Sequence, residues 1–231
     1  MQSPAMTAFT IILTVIIYFI SRKVYLKTQN ALLSPLLISA VAIILILNYS
    51  GIAFEQYKPG KDIMTLLLGP ATVALALPLY QNRHILRKSF VPILVGIASG
   101  AVATLTTAVL WTKMSGLDSL IVSSIATKSI TAPIAIDIAH ITGGDPAIAV
   151  AFVVFTGTLG SIIGARFLSL CKIKNPIARG LAMGVTAHGQ GTATILEEGQ
   201  TQGAMAGAGM ALAAIFVSFI APFYIPWLMN L

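Results

Sequence analysis

Apolar stretches about as long as a lipid bilayer is thick recur from one end of this sequence to the other. No other feature restricts its fold as much. They cover residues 5–20, 32–50, 62–80, 89–111, 117–139, 146–168, 177–196 and 203–229. Each is close to the ~20 residues a helix needs to cross the hydrocarbon core. Only 9% of residues are charged and 57% are hydrophobic, whereas about a quarter of a soluble domain is charged. The expectation is one all-α polytopic membrane domain over residues 1–231. Its eight hydrophobic segments leave no room for a soluble domain.

A net charge of +7 could suggest nucleic acid, but basic residues collect in the cytoplasmic loops of membrane proteins, so no nucleic-acid partner is expected. The single cysteine, Cys171, rules out an intrachain disulfide and is assigned no role. No basic region precedes the first apolar run, so no cleavable signal peptide is expected.

The loops divide by charge. Arg22, Lys23 and Lys27 follow the first segment, Arg83, Arg87 and Lys88 the third, and Arg166, Lys172, Lys174 and Arg179 the sixth, with no acid among them. The other loops hold Glu55, Asp62, Asp118, Asp145, Glu197 and Glu198 against Lys58, Lys61 and Lys113. The positive-inside rule puts the three basic loops in the cytoplasm and the N-terminus outside. Three segments separate the second and third basic loops, so one of them does not cross. Residues 117–139 are the candidate, because they carry Ser123, Ser124, Thr127, Lys128, Ser129, Thr131, Pro133 and Asp137. Irregular backbone at that depth must be buried in protein or line a wet cavity. The predicted topology is seven crossings plus a re-entrant hairpin over about 117–140, with the C-terminus cytoplasmic.

This path suggests an inverted repeat of about 1–111 and 112–231. Ser34-Pro35 and Asp145-Pro146 each combine an N-cap residue with proline at the first helical position. Each half then carries an interrupted segment, Gly69, Pro70 and Pro78 in one and Gly184, Gly189 and Gly191 in the other. Broken helices meeting near the midplane are a mark of inverted-repeat transporters.

Depth concentrates the chemistry. At 1.5 Å per residue, about ten residues reach mid-membrane, which places Lys128, Thr72 and His188 at one level. A lysine there costs ~3 kcal/mol or more and usually marks an ion or substrate pathway. Lys128, Ser129 and Thr131, with the half-helix N-terminus after the break at Pro133, suit a small carboxylate. His188, Gln190, Thr192 and Thr72 would line the other side. Lys128 could instead snorkel or pair with Asp137, and His188 could be a packing residue, a ligand or a proton carrier. No cofactor or metal is expected, and coupling to H+ or Na+ stays open. Homo-oligomerisation stays open too. No Gly-x-Ser-x-Gly or His-Glu-x-x-His spacing occurs, and the histidines are His84, His140 and His188 alone, so no enzyme activity is expected.

The stretches "SPLLISA", "GPATVALALPLY", "ATKSITAPIA", "GGDPAIAVAFVVFTGTLGS" and "ARGLAMGVTAHGQGTAT" together resemble the LrgB/CidB family, which includes YohK-like proteins. Ser34-Pro35 stands where many members carry Asn-Pro. The resemblance covers about residues 32–222. It implies either of two functions. One is transport of short acids, glycolate and glycerate as in a plastidal relative or pyruvate as in bacterial members. The other is antiholin-like control of murein hydrolase export and cell lysis. It also implies a small LrgA/CidA-type membrane partner and a place in the cytoplasmic (inner) membrane.

Overall fold

The computed structural model describes residues 4–28, 33, 35–67, 70, 73, 76–81, 83–88 and 90–231. Thr72, Gly69 and the break expected around them lie outside the described residues, so the pairing of segment three with segment seven does too. Every regular element described is helical. The chain falls into two compact units, residues 1–73 and 74–231.

In the first unit α1 (Pro4–Thr28) packs on α2 (Pro35–Tyr49) and α3 (Phe54–Leu66). Gly60 lies against the Thr10 side chain, where no β-carbon would fit. The Thr14 hydroxyl bonds the Tyr57 hydroxyl at 2.9 Å.

The second unit begins with α4 (Ala76–Gln81) and α5 (Arg83–Lys88). Pro78 has helical backbone within α4, and Pro70 is exposed. Then come α6 (Phe90–Met114), α7 (Ser119–Ala126), α8 (Ala132–Thr142), α9 (Pro146–Leu170), α10 (Pro176–Leu196) and α11 (Gln200–Met229). Four helices, α1, α6, α9 and α11, are long and apolar enough to cross a membrane.

Helices α7 and α8 are not. At 1.5 Å per residue they reach roughly 12 and 16 Å. The chain reverses between them: the Ser123 hydroxyl donates to the Thr142 carbonyl at 2.9 Å and to its hydroxyl at 2.7 Å. Residues that far apart in a straight helix would be separated by about 28 Å. The Asp145 N–H also donates to the Ser124 hydroxyl, at 2.7 Å. Pro133 lacks the N–H an interior helical position needs, so a new helix starts just before it.

Helix α10 corrects two expectations. Residues 177–196 are expected to cross once, yet they double back. Arg179, near the start, donates through Nε to Glu198, beyond the end, at 2.7 Å. The first limb also runs parallel to α11, with Gly180 against Gln202 and Met205 and Gly184 against Ala206. A single straight helix would make α10 and α11 antiparallel. The reversal falls at His188, whose φ of 39° and ψ of −125° are non-helical. The glycines are therefore not the break themselves. Gly184 is helical and lies where a β-carbon would strike the Ala206 backbone. Gly189 and Gly191 follow the turn, and a β-carbon on Gly191 would lie 2.6 Å from the Met183 carbonyl oxygen. The second correction concerns charge. Glu198, counted on the face opposite Arg179, is its ion-pair partner.

Landmarks in the second unit recur at one interval of 56 residues. The two 25-residue helices start at 90 and 146, and positive-φ residues fall at 116 and 172 and at 143 and 199. The contacts that close the two reversals, 123 to 142 and 179 to 198, obey the same interval. Long helix α6 with hairpin α7–α8 thus matches long helix α9 with hairpin α10. Helix α9 is antiparallel to the first limb of α10, with Gly164 at Met183 and Gly160 at Ala187, and Gly100 of α6 lies beside Val185.

Candidate functional site

The α7–α8 reversal carries Lys128 into the protein. The limb before it is buried from Val122 to Thr127, because α6, α9 and the C-terminal half of α11 pack around it in the main core. Lys128 itself is half-buried, and Nζ donates to the Ser129 hydroxyl at 3.2 Å. Neither ion pair among the described residues involves it, and Asp137 is exposed. A lysine ammonium has three donors, and the serine takes one.

Thr131 caps α8 in extended conformation without a side-chain cap bond. Its Oγ1 is buried, and among the described residues it has no hydrogen-bond partner. Pro133 follows in the first turn. The ammonium, the unbonded hydroxyl and the open N–H groups of an 11-residue helix therefore cluster at one break, a combination suited to an anion.

Lys128 lines a groove of about 770 Å³ between α6 and α9. Thr107 reaches it from α6, Thr156 from α9 and Thr186 from the first limb of α10. Among the described residues, no acidic one lines it. Both reversals thus contribute to one groove, the first through its tip and the second through Thr186, two residues before His188.

The remaining expected ligands lie elsewhere. His188 is 6% exposed, and its Nε2 contacts the Val153 carbonyl at 3.1 Å. A carbonyl only accepts, so Nε2 carries the proton in that bond. The ring packs where a β-carbon on Gly157 would come within 2.7 Å of it. Thr192 donates to the His188 carbonyl at 2.7 Å, and Thr158 donates to Gln190 Oε1 at 2.9 Å. Of the expected ligands Lys128 lines the groove, whereas Ser129, Thr131, Pro133, His188, Gln190 and Thr192 do not. His188 and Gln190 fasten the second reversal to α9, and Thr192 bonds within α10. Thr186, Thr156 and Thr107 were not legible as site residues, since a threonine in a membrane helix usually bonds its own backbone. Thr107 does so, to Ala103 at 2.7 Å.

These features define a multi-pass helical membrane protein with two helical hairpins, one bearing a lysine in a groove between long apolar helices. The model of the LrgB-like family matches residues 14–227, and the chain belongs to that family. It is 36% identical to YxaC of Bacillus subtilis (strain 168) over the whole of both chains. It is 34% identical to the holin-like protein CidB of Staphylococcus epidermidis (strain ATCC 12228 / FDA PCI 1200), over 92% of this chain and 93% of the relative. CidB of Staphylococcus aureus (strain N315) is 32% identical over the same shares. No solved structure matches.

Proposed function

We propose that this chain carries small monocarboxylates of the glycolate, glycerate or pyruvate type across the cell membrane. One observation carries the reading: Lys128 stands without a carboxylate partner among the described residues, at a helix break that lines a groove. Holding an unpaired ammonium at such depth costs several kcal/mol, and an anionic substrate offsets that cost. Ser129 and Thr131 add hydroxyls, and Thr186 and Thr156 face the same space. His188, Gln190 and Thr192 act by holding the second hairpin in place. In this reading the chain is a carrier that works without a cofactor and is not an enzyme, and coupling to H+ or Na+ is left open.

The two 56-residue copies supply the inverted repeat, which moves by alternating access. The α7–α8 hairpin enters from one face and the α10 hairpin from the other. Placing Arg87, Lys88, Lys172 and Lys174 inside makes α10 enter from the cytoplasm. Helices α6 and α11 are parallel, with Thr106 bonded to Tyr224 and Lys113 to the Met229 carbonyl. The C-terminus then lies outside, which revises the cytoplasmic assignment.

Uptake of labelled pyruvate or glycolate into proteoliposomes tests the carrier reading. Lys128→Ala is expected to abolish it, and unchanged uptake would remove the proposed site. The second reading is antiholin-like control of cell lysis with a small LrgA/CidA-type partner, supported by the holin-like name of the CidB relatives. It calls for no flux through the purified chain and for a lysis phenotype that survives Lys128→Ala.

A further inference from the structure

Two features of the Lys128 groove point past the smallest acids. It is large, about 770 Å³, well inside the range that encloses a drug-sized ligand. A two- or three-carbon acid would occupy a small part of it. Its walls are also one-sided. Phe152, Phe155, Leu159 and Ile163 fall at spacings that share one face of α9, and all four line the groove, with Trp111 opposite on α6. Phe152 and Phe155 stand edge to face, their ring centroids 6.4 Å apart. Among the described residues, Lys128 is the only cation in the lining. The groove therefore offers one positive point, a few hydroxyls beside it and an extended apolar surface beyond.

We propose that the groove selects monocarboxylates with an apolar tail, the carboxylate on Lys128 and the tail along the α9 aromatic face. This rests on the carrier reading of the Lys128 site and extends its substrate class from the shortest acids to those with a longer apolar tail. A short hydroxy acid would satisfy the ammonium but leave the apolar wall uncovered. A tail of several carbons covers that wall and is itself favoured by apolar burial.

The test is calorimetric binding of hexanoate and of pyruvate to the full chain in lipid nanodiscs, with empty nanodiscs subtracted. Hexanoate is expected to bind at least tenfold more tightly than pyruvate, and Lys128→Met to weaken both at least tenfold. Phe155→Ser, on the groove-facing surface of α9, is expected to cut the hexanoate preference severalfold and leave pyruvate affinity unchanged. Equal affinities, no binding of either acid, or hexanoate binding that survives Lys128→Met would overturn the proposal.

A lipid chain is the competing occupant. With Trp227→Phe, Trp111 is the sole tryptophan, and brominated lipid tails report on the groove. Quenching of Trp111 that hexanoate does not relieve would also overturn the proposal. If hexanoate binds as expected but neither acid enters proteoliposomes, the carrier reading fails and the binding site stands.

Discussion

The two hairpins share one path and are closed by different chemistry. The first turns at a proline-led break and is clasped by the Ser123 hydroxyl on Thr142. The second has no proline at its turn. It is clasped by Arg179 on Glu198, with further guanidinium bonds to the carbonyls of Ile173 and Ala165 at 2.9 and 3.0 Å. Its tip is pinned by the His188 ring on Val153. The first hairpin carries an ammonium with no carboxylate partner among the described residues, while most polar groups of the second hold its own shape and Thr186 reaches the groove. On the proposed function, one copy presents the ligand chemistry and the other serves mainly as its frame.

Breaking the stronger clasp has the largest expected effect. Arg179→Met leaves Glu198 without its partner and two carbonyls without a donor. Arg179 is buried but Glu198 is exposed, so the loss comes from the charge-assisted bonds and the carbonyls left without a donor, ~2–3 kcal/mol. Thermal unfolding in detergent should show that loss, and Glu198→Met alone, which keeps both carbonyl bonds, should cost less. An Arg179→Met variant as stable as the parent would mean that the clasp does not hold the second hairpin closed.

Next in size is the pin at the tip. The backbone of His188 occupies a region that side-chain-bearing residues populate sparsely, at a cost of ~1–3 kcal/mol. His188→Ala keeps that strain and removes the bond to Val153, so a loss of ~1–2 kcal/mol is expected. His188→Gly loses the same bond but relieves the backbone and should be the milder change. Equal losses in the two variants, compared by thermal unfolding, would show that the turn conformation is not what the histidine sustains. Gly157→Ala pushes a methyl group onto the His188 ring and should cost ~1–3 kcal/mol by overpacking.

Legibility in the sequence follows the same division. Apolar length announces the membrane helices, and loop charge demands that one segment between 89 and 168 turn back. The polar run around Lys128 and Pro133 then shows where. The second turn is silent by those rules. Histidine is among the residues enriched at positive φ, yet a non-glycine there is uncommon, and residues 177–196, which hold "GVTAHGQGTAT", have the length of a crossing. Charge counting also assumed that Glu198 lies on the face opposite Arg179. That assumption fails because an ion pair draws both charges to one face, which no sum over loops can register. The groove was half legible: Lys128 stands out by its cost in lipid, whereas Thr107, Thr156 and Thr186 become its neighbours only through helix packing.

The smallest expected effect sharpens the comparison most. Ser123→Ala removes the hydroxyl clasp of the first hairpin, a neutral hydrogen bond worth ~1 kcal/mol. Its limb stays buried in the main core, so the fold should persist with a slight drop in unfolding temperature. If the first hairpin is the copy that presents the ligand, a looser base should alter the exposure of its tip. Thr131→Cys in a Cys171→Ser background, a chain with one thiol, reports this by labelling with a membrane-impermeant maleimide. Labelling from the outer face is expected to rise severalfold on Ser123→Ala. The companion variant, Glu198→Gln, should leave it unchanged. Equal increases from both would mean that the hairpins open together, and that the division of roles between them is not one of movement.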